Sequence, residues 1–460
     1  MRSIHITCLV LIVLLGIGLS GSALAADSEA TVSPEDRWWA EFEDPVLSEL
    51  IEIGLANNPD LGIARTKIEQ AQAATWQGLA PLLPQFSFDL NGNLNSIELL
   101  GGQVMPGETL PDTYKTGSAM LVGRLNADIF GKQILNQQET RRDRDAATES
   151  GKVTTIELVA SVARTYYQLV AARNQVATIQ SQIKSNQQLL DLTQLRYERG
   201  EAEGLDVLQQ RQQLAATNTL LPQAEAIAAA AKKNLVLLLG GFDEAELPSP
   251  VKQLPKVSPA HAIKPTAEQI GELPTVRLSA SQLAAAKSRR LSATMSFFPT
   301  VQLTGQAGQQ ATYINELEDD FVWTLGAGIS IPLFQGGQNL GTYRFNTAKE
   351  REAQHALRKA ELAAKNRLDV AQIEEDRYRR QLVAYHLQLE AADAALRQSE
   401  SRYTLGLADY QSVLTSLNAR QAAELNVINS HLSLVLARVE LHQALGGKRV
   451  TDSVPEETVE

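Results

Sequence analysis

The chain has 460 residues and a net charge of −11 at pH 7, with 44% hydrophobic but only 5% aromatic residues. The acidic balance argues against a nucleic-acid partner, which needs basic faces. An Ala-, Leu- and Gln-rich chain so poor in aromatics suits long helices better than a compact mixed core.

The first residues read as a targeting segment. Arg2 gives a positive start, Ile6 to Leu19 is apolar but too short to span a bilayer, and Ala23-Leu24-Ala25 offers a small-x-small cleavage site. The only cysteine, Cys8, falls inside this segment and not at the cleavage point. The mature chain is therefore expected to lack disulfides, thiolate nucleophiles and cysteine metal ligands. No later run is long and apolar enough for a transmembrane helix, which leaves a barrel open because barrel strands leave a weaker trace.

Trp38, Trp39 and Phe42 precede a short helix over Pro45 to Leu55. These aromatics fit either a belt around the outside of a tube or an ordinary aromatic core. Asn57-Asn58-Pro59 stops that helix and starts the next, with Asn58 as cap and Pro59 at the first helical position; it runs to about Ala80. Pro81 and Pro84 end it. Phe86, Phe88 and Leu90 then alternate with Ser87, Asp89 and Asn91, the period of a strand. After a Gly/Pro-rich loop, Ala119, Leu121, Gly123, Leu125, Ala127 and Ile129 alternate with polar residues. A proline-free stretch from about Ile134 to Leu195 follows, with Val159, Ala163, Tyr166, Val170 and Ile179 along a narrow apolar seam, the pattern of coiled-coil packing. Its partner returns after Gly200 and Gly204 and runs to Leu239.

The same order then repeats. Pro274 stands 215 positions after Pro59, and Pro299 by the same offset after Pro84. Alternating segments at Val301–Ala307 and Phe321–Ile331 follow, then helices over roughly 340–402 and 409–445. Arg196-Tyr197-x-x-Gly200 matches Arg402-Tyr403-x-x-Gly406, and Leu239-Gly240-Gly241 matches Leu445-Gly446-Gly447, both offset by 206. One unit, a strand pair plus a long helix hairpin, has been duplicated. The expected fold class is mainly α with a transmembrane β-barrel portion. The expected organisation is a signal peptide over 1–25, an N-terminal extension and short helix over 26–58, a first repeat over 59–240, a proline-rich linker over 241–273, a second repeat over 274–447, and a disordered acidic tail over 448–460.

Each alternating segment is long enough to cross an outer membrane when tilted, with one apolar and one polar face. A soluble sheet with one wet face would show the same alternation. If the strands face lipid, four cannot close a barrel, and open edges are not tolerated in hydrocarbon, so copies of the chain must share one barrel.

The mature chain resembles the TolC-type outer membrane efflux proteins. The resemblance rests on the duplication, Asn58-Pro59-Asp60-Leu61, Leu82-Leu83-Pro84, Asp128-Ile129-Phe130-Gly131, Ile331-Pro332-Leu333-Phe334-x-Gly336-Gly337 and the two Arg-Tyr-x-x-Gly turns. Trp38-Trp39-x-x-Phe42-x-Asp44-Pro45-x-Leu47 is similar to the NodT-like branch, which serves resistance-nodulation-division pumps. The resemblance implies a homotrimer with a 12-stranded β-barrel in outer-membrane lipid, continued by a 12-helix tunnel through the periplasm of a Gram-negative cell. It implies an exit duct that passively conducts small molecules (drugs, toxic compounds or metal ions) from an inner-membrane pump through a periplasmic adaptor. A protein-secretion conduit and a periplasmic helical scaffold are the alternatives. Branch members are often lipoproteins, and here no cysteine stands at the cleavage point.

Phe130, Gly131, Pro332, Phe334, Gly336 and Gly337 mark the expected strand-to-helix junctions, where glycine permits the bend. At the tip, the resemblance places Arg196, Tyr197, Arg402 and Tyr403 as groups that hold neighbouring coils closed, and Gly200, Gly204, Leu205, Gly406 and Leu407 as the adaptor contact. Ordinary capped hairpin turns would use the same residues. Some members narrow at rings of aspartate. The matching positions are Ser412 and Thr415, with Asp206 and Gln209 in the first copy, so Asp206 and Asp409 are the acidic candidates. Trp323 is a candidate for an interfacial aromatic belt. No catalytic motif, cofactor fingerprint or paired metal-ligand spacing is present in the sequence, and His261, His355, His386, His431 and His442 read as polar helix or linker residues.

Overall fold

The computed structural model describes residues 37–96, 113–243, 245, 247–259, 264–311 and 321–449. The signal peptide, Cys8, the Gly/Pro-rich loop over 97–112, His261 and all but the first two residues of the acidic tail lie outside them.

Asp44 caps α1 (Pro45–Asn57), accepting from the backbone N–H groups of Val46 and Leu47. Asn58 then caps α2 (Pro59–Leu79), accepting from Asp60 N at 2.8 Å. The strand pair β1 (Gln85–Ser96) and β2 (Thr113–Ala127) leads into α3 (Lys132–Glu198), which α4 (Gly204–Leu238) follows. After the linker and the one-turn α5 (Ala267–Gly271), the order recurs as α6 (Pro274–Met295), β3 (Thr300–Ala311), β4 (Phe321–Ser330), α7 (Gln338–Thr404) and α8 (Tyr410–Ala444). The long helices α3 and α7 have 67 residues each and α4 and α8 have 35 each, so the duplication is equal in length. At 1.5 Å per residue α3 and α7 are rods of about 100 Å.

The shorter helices stack end to end. The Asn58 side chain that caps α2 also donates to Leu238 O, at the end of α4, at 2.8 Å. Gly240 (φ +78°) lies so close to this joint that a Cβ would stand 2.3 Å from Asn57 O. In the second copy Gly446 (φ +71°) packs against Leu273 and Pro274, where α6 begins. Each repeat thus supplies two helical columns: a single long helix, and a pair joined at a glycine.

The four strands form one antiparallel sheet in the order β1-β2-β3-β4. Its register places Phe86, Phe88 and Leu90 beside Gly123, Leu121 and Ala119. The same face continues through Gly305, Ala307 and Leu303 to Leu325, Trp323 and Ala327. Among the described residues no layer covers it: Leu90 is 73%, Trp323 71% and Leu325 79% exposed. The opposite face carries Ser87, Asp89, Arg124, Asn126, Gln302, Thr304 and Thr324, with Arg124 paired to Asp89 at 3.8 Å. A soluble sheet buries its apolar face; this one bares it.

The strands are slightly shorter than their alternation implied. β2 ends at Ala127 and β4 at Ser330, short of the Asp128–Gly131 and Ile331–Gly337 motifs. Those motifs are the bends themselves: Gly131, Gly336 and Gly337 have φ of 77°, 60° and 85°. The two phenylalanines also differ. Phe130 packs on Phe298 with ring centroids 5.1 Å apart, whereas Phe334 is 87% exposed. Of the two readings open for Trp38, Trp39 and Phe42, the aromatic core is the one found. They are buried in the main core with Tyr166, Tyr167, Val170, Leu235 and Val439, and Trp38 stacks on His442 at 4.8 Å. The linker is strapped over this region: Leu254 is buried, and the carbonyl of Ser258 accepts from Arg379 and Arg438. Arg438 also makes a buried bidentate pair with Glu375 at 2.7 and 2.9 Å.

Candidate functional site at the hairpin tips

Both long helices reverse in the same way. Gly200 (φ +71°) donates to Tyr197 O and Glu201 N to Arg196 O, and Gly406 (φ +72°) donates to Tyr403 O and Leu407 N to Arg402 O. This is the Schellman ending, which needs a left-handed residue and so selects glycine. The turns present leucines outward: Leu205 is 58% and Leu407 65% exposed.

Sequence equivalence does not carry over to the side chains. Tyr403 is buried and its hydroxyl donates to Asp206 Oδ2 at 3.0 Å, joining the α7–α8 hairpin to the α3–α4 hairpin. Arg196 lies over the Tyr403 ring at 4.7 Å, donates to Tyr403 O at 3.3 Å and approaches Glu201 at 3.8 Å. Burial, reinforced by the bond to Asp206, pushes the Tyr403 hydroxyl up to about 12, so it stays a donor across the physiological range. Arg196, Asp206 and Tyr403 are thus brought together. Tyr197 and Arg402 do not lie on this seam between the hairpins within one chain. Tyr197 is half exposed with its ring against Gly204, and Arg402 returns to Leu407 O in its own turn. The reason is geometric: within one chain the hairpins meet along a single seam, and only one member of each duplicated pair lies on it.

The remaining tip candidates have local partners. Asp409 caps α8, accepting from Ser412 Oγ and from Ser412 N at 3.0 Å, and these bonds hold its carboxyl below the usual range. Thr415 is exposed and donates to Gln411 O at 2.8 Å.

Behind the Tyr403–Asp206 contact lies a cluster that the motifs did not single out. Tyr410 is buried, its ring 5.2 Å from that of Tyr403, and its hydroxyl donates to Gln210. Gln210 donates to Asn186 O at 2.8 Å, Asn186 to Thr217 Oγ1 at 2.8 Å, and Gln421 to Asn186 Oδ1 at 3.0 Å. Gln213 donates to Gln421 Oε1 and Gln182 to Gln421 O, both at 3.2 Å. Asn186 and Gln210 are 0% exposed. The available signal was amides at positions where a coiled-coil seam is otherwise apolar.

The family model for outer membrane efflux proteins matches residues 50–241 and 269–447. A pyoverdine export outer membrane protein, OpmQ of Pseudomonas putida, is 28% identical over 435 residues, 93% of this chain and 91% of the relative. A probable efflux pump outer membrane protein, TtgC of Pseudomonas putida, is 26% identical over 444 residues, 93% and 88% of the two chains. The solved Campylobacter jejuni CmeC outer membrane channel has the same fold, with a TM-score of 0.83 at 19% identity over 92% of this chain and 90% of that one.

Proposed function

The chain belongs to the outer membrane efflux protein family, an exit duct in the outer membrane of a Gram-negative cell, and from that premise we propose how it is assembled and what it serves. Three copies share one 12-stranded barrel, each continuing as four helical columns. An adaptor grips the tips at Gly200, Gly204, Leu205, Gly406 and Leu407. An inner-membrane pump, of resistance-nodulation-division type by the similarity to the NodT-like branch, supplies the energy. The cargo is small molecules, in keeping with relatives whose names carry pyoverdine export and efflux.

The observation that carries this reading is the bare apolar face of a sheet whose edges, β1 and β4, have no strand partner among the described residues. In hydrocarbon each unsatisfied backbone group costs several kcal/mol, so β4 of one copy must pair with β1 of the next. Twelve columns spaced about 10 Å apart make a ring of roughly 19 Å radius, and removing half a helix thickness leaves a lumen of roughly 14 Å radius. Two copies would give eight columns and a lumen of roughly 8 Å. Conduction needs no chemistry from the wall. Closure falls to the tips, where Tyr403, Asp206 and Arg196 tie one hairpin to the other, and adaptor binding biases the tied state toward the open one.

The test is the purified full chain in detergent, sized by light scattering and then inserted in planar bilayers. A trimer with small flickering currents is expected. A monomer dispersed in buffer without detergent refutes the duct, and well-inserted protein without current refutes the pore.

A further inference from the structure

We infer that the buried amide cluster around Asn186 and Gln421 is a second lock, set in series with Tyr403–Asp206, which positions the α7–α8 hairpin against the α3–α4 hairpin and keeps the tip closed. The inference rests on the duct reading and adds positioning residues to it.

Three observations carry it. First, the cluster crosses the seam that the tip latch crosses. Gln421 on α8 donates to Asn186 on α3 at 3.0 Å and accepts from Gln213 on α4 at 3.2 Å. Second, it is wired to the latch: Gln210 joins Asn186 to Tyr410, and Tyr410 packs on Tyr403. A displacement that frees Tyr403 therefore pulls on a buried hydrogen bond before it reaches the rest of the stem. Third, the cluster is not inherited from the duplication. At the 206-residue offset Asn186, Gln210, Gln213 and Thr217 correspond to Ala392, Ser416, Ala419 and Ala423, and Gln421 corresponds to Ala215. The seam inside the second hairpin is instead packed by Leu396, Val413 and Leu417. Amides thus occur where one hairpin meets the other and are missing from the equivalent layer of the second hairpin. Buried amides cost desolvation, and their best-attested use in coiled coils is to fix register. An apolar seam slides; an amide seam moves only by breaking bonds whose partners then have no water to turn to.

The experiment uses the full chain with Tyr403→Phe as background. Asn186→Cys with Gln421→Cys ties α8 to α3 through a disulfide that can be formed and reduced in one sample, with Cys8 replaced by Ser. The expected result is that the oxidised protein stays at the closed-state conductance even with Tyr403→Phe, and that reduction, which leaves neither the disulfide nor the amide pair across the seam, raises open probability roughly fivefold over Tyr403→Phe alone, the loss of about one net hydrogen bond. Equal conductance in the two states overturns the inference. A second variant keeps packing without amides: Asn186→Leu with Gln421→Met. It is expected to conduct more in the Tyr403→Phe background than either set of changes alone, whereas the exchange Asn186→Gln with Gln421→Asn restores closure. Leakage from both double variants, or from neither, overturns it. Trypsin cleavage after Arg402, followed by mass spectrometry, reads the freedom of the same turn without any current. A silent wild-type channel would refute the duct. Unchanged cleavage between oxidised and reduced protein would refute the lock by itself.

Discussion

Replacing Tyr403 with Phe removes one hydroxyl and leaves everything else at the latch in place. The ring still lies under Arg196, at 4.7 Å, and still packs against Tyr410, at 5.2 Å. What is lost is the 3.0 Å bond to the Asp206 carboxylate. Hydrogen bonds to charged groups contribute about 1.5–3 kcal/mol, and Asp206 is only half-buried, so the lower end applies. That is roughly tenfold in the closed-to-open equilibrium for each subunit. If the three tips open independently, single-channel open probability rises about tenfold; if they open together, the factors multiply toward a thousand. Planar-bilayer recording separates these cases by the number of conductance levels. The hydroxyl's folded-state value lies above its unfolded one, so its contribution is complete below pH 10 and fades as pH rises through about 12. The difference between wild type and variant should therefore be flat from pH 5 to 9. Wild-type conductance in the variant, or a difference that varies with pH in that window, would refute the assignment of the latch to this bond.

Elsewhere, Arg438→Met leaves Glu375 buried with only Arg379 to neutralise it, and should cost about 3 kcal/mol in chemical unfolding; adding Glu375→Leu should restore most of that. Gly240→Ala forces a Cβ to within 2.3 Å of Asn57 O at φ +78° and should cost about 3 kcal/mol or more. Gly131→Ala, at φ +77° in open space, should cost only about 1 kcal/mol, so comparable melting losses in the two would contradict the close-approach argument. The Asp409 cap has a depressed folded-state value, so its stabilisation is present above the usual carboxylate range and is lost as pH falls through the folded one. Protection from hydrogen exchange in the first turn of α8, taken relative to the intrinsic rate at the same pH, should fall in wild type once pH drops below the usual carboxylate range but not in Asp409→Asn, which caps without titrating.

The sequence by itself determined the elements. A period of two marked the strands, a narrow seam marked the long helices, and prolines and glycines at fixed offsets exposed the duplication, because these signals are local. The apolar-face residues Phe86, Phe88, Leu90, Trp323 and Leu325 were legible for the same reason. What only the tertiary structure decided is which copy of each repeated residue lies on the seam between the two hairpins of one chain. Arg196 and Tyr403 meet while Tyr197 and Arg402 do not, and Asn186 finds Gln421, 235 positions away, because two equal hairpins placed side by side share one seam. A duplicated sequence is symmetric along the chain, but packing one copy against the other leaves each with an inside and an outside.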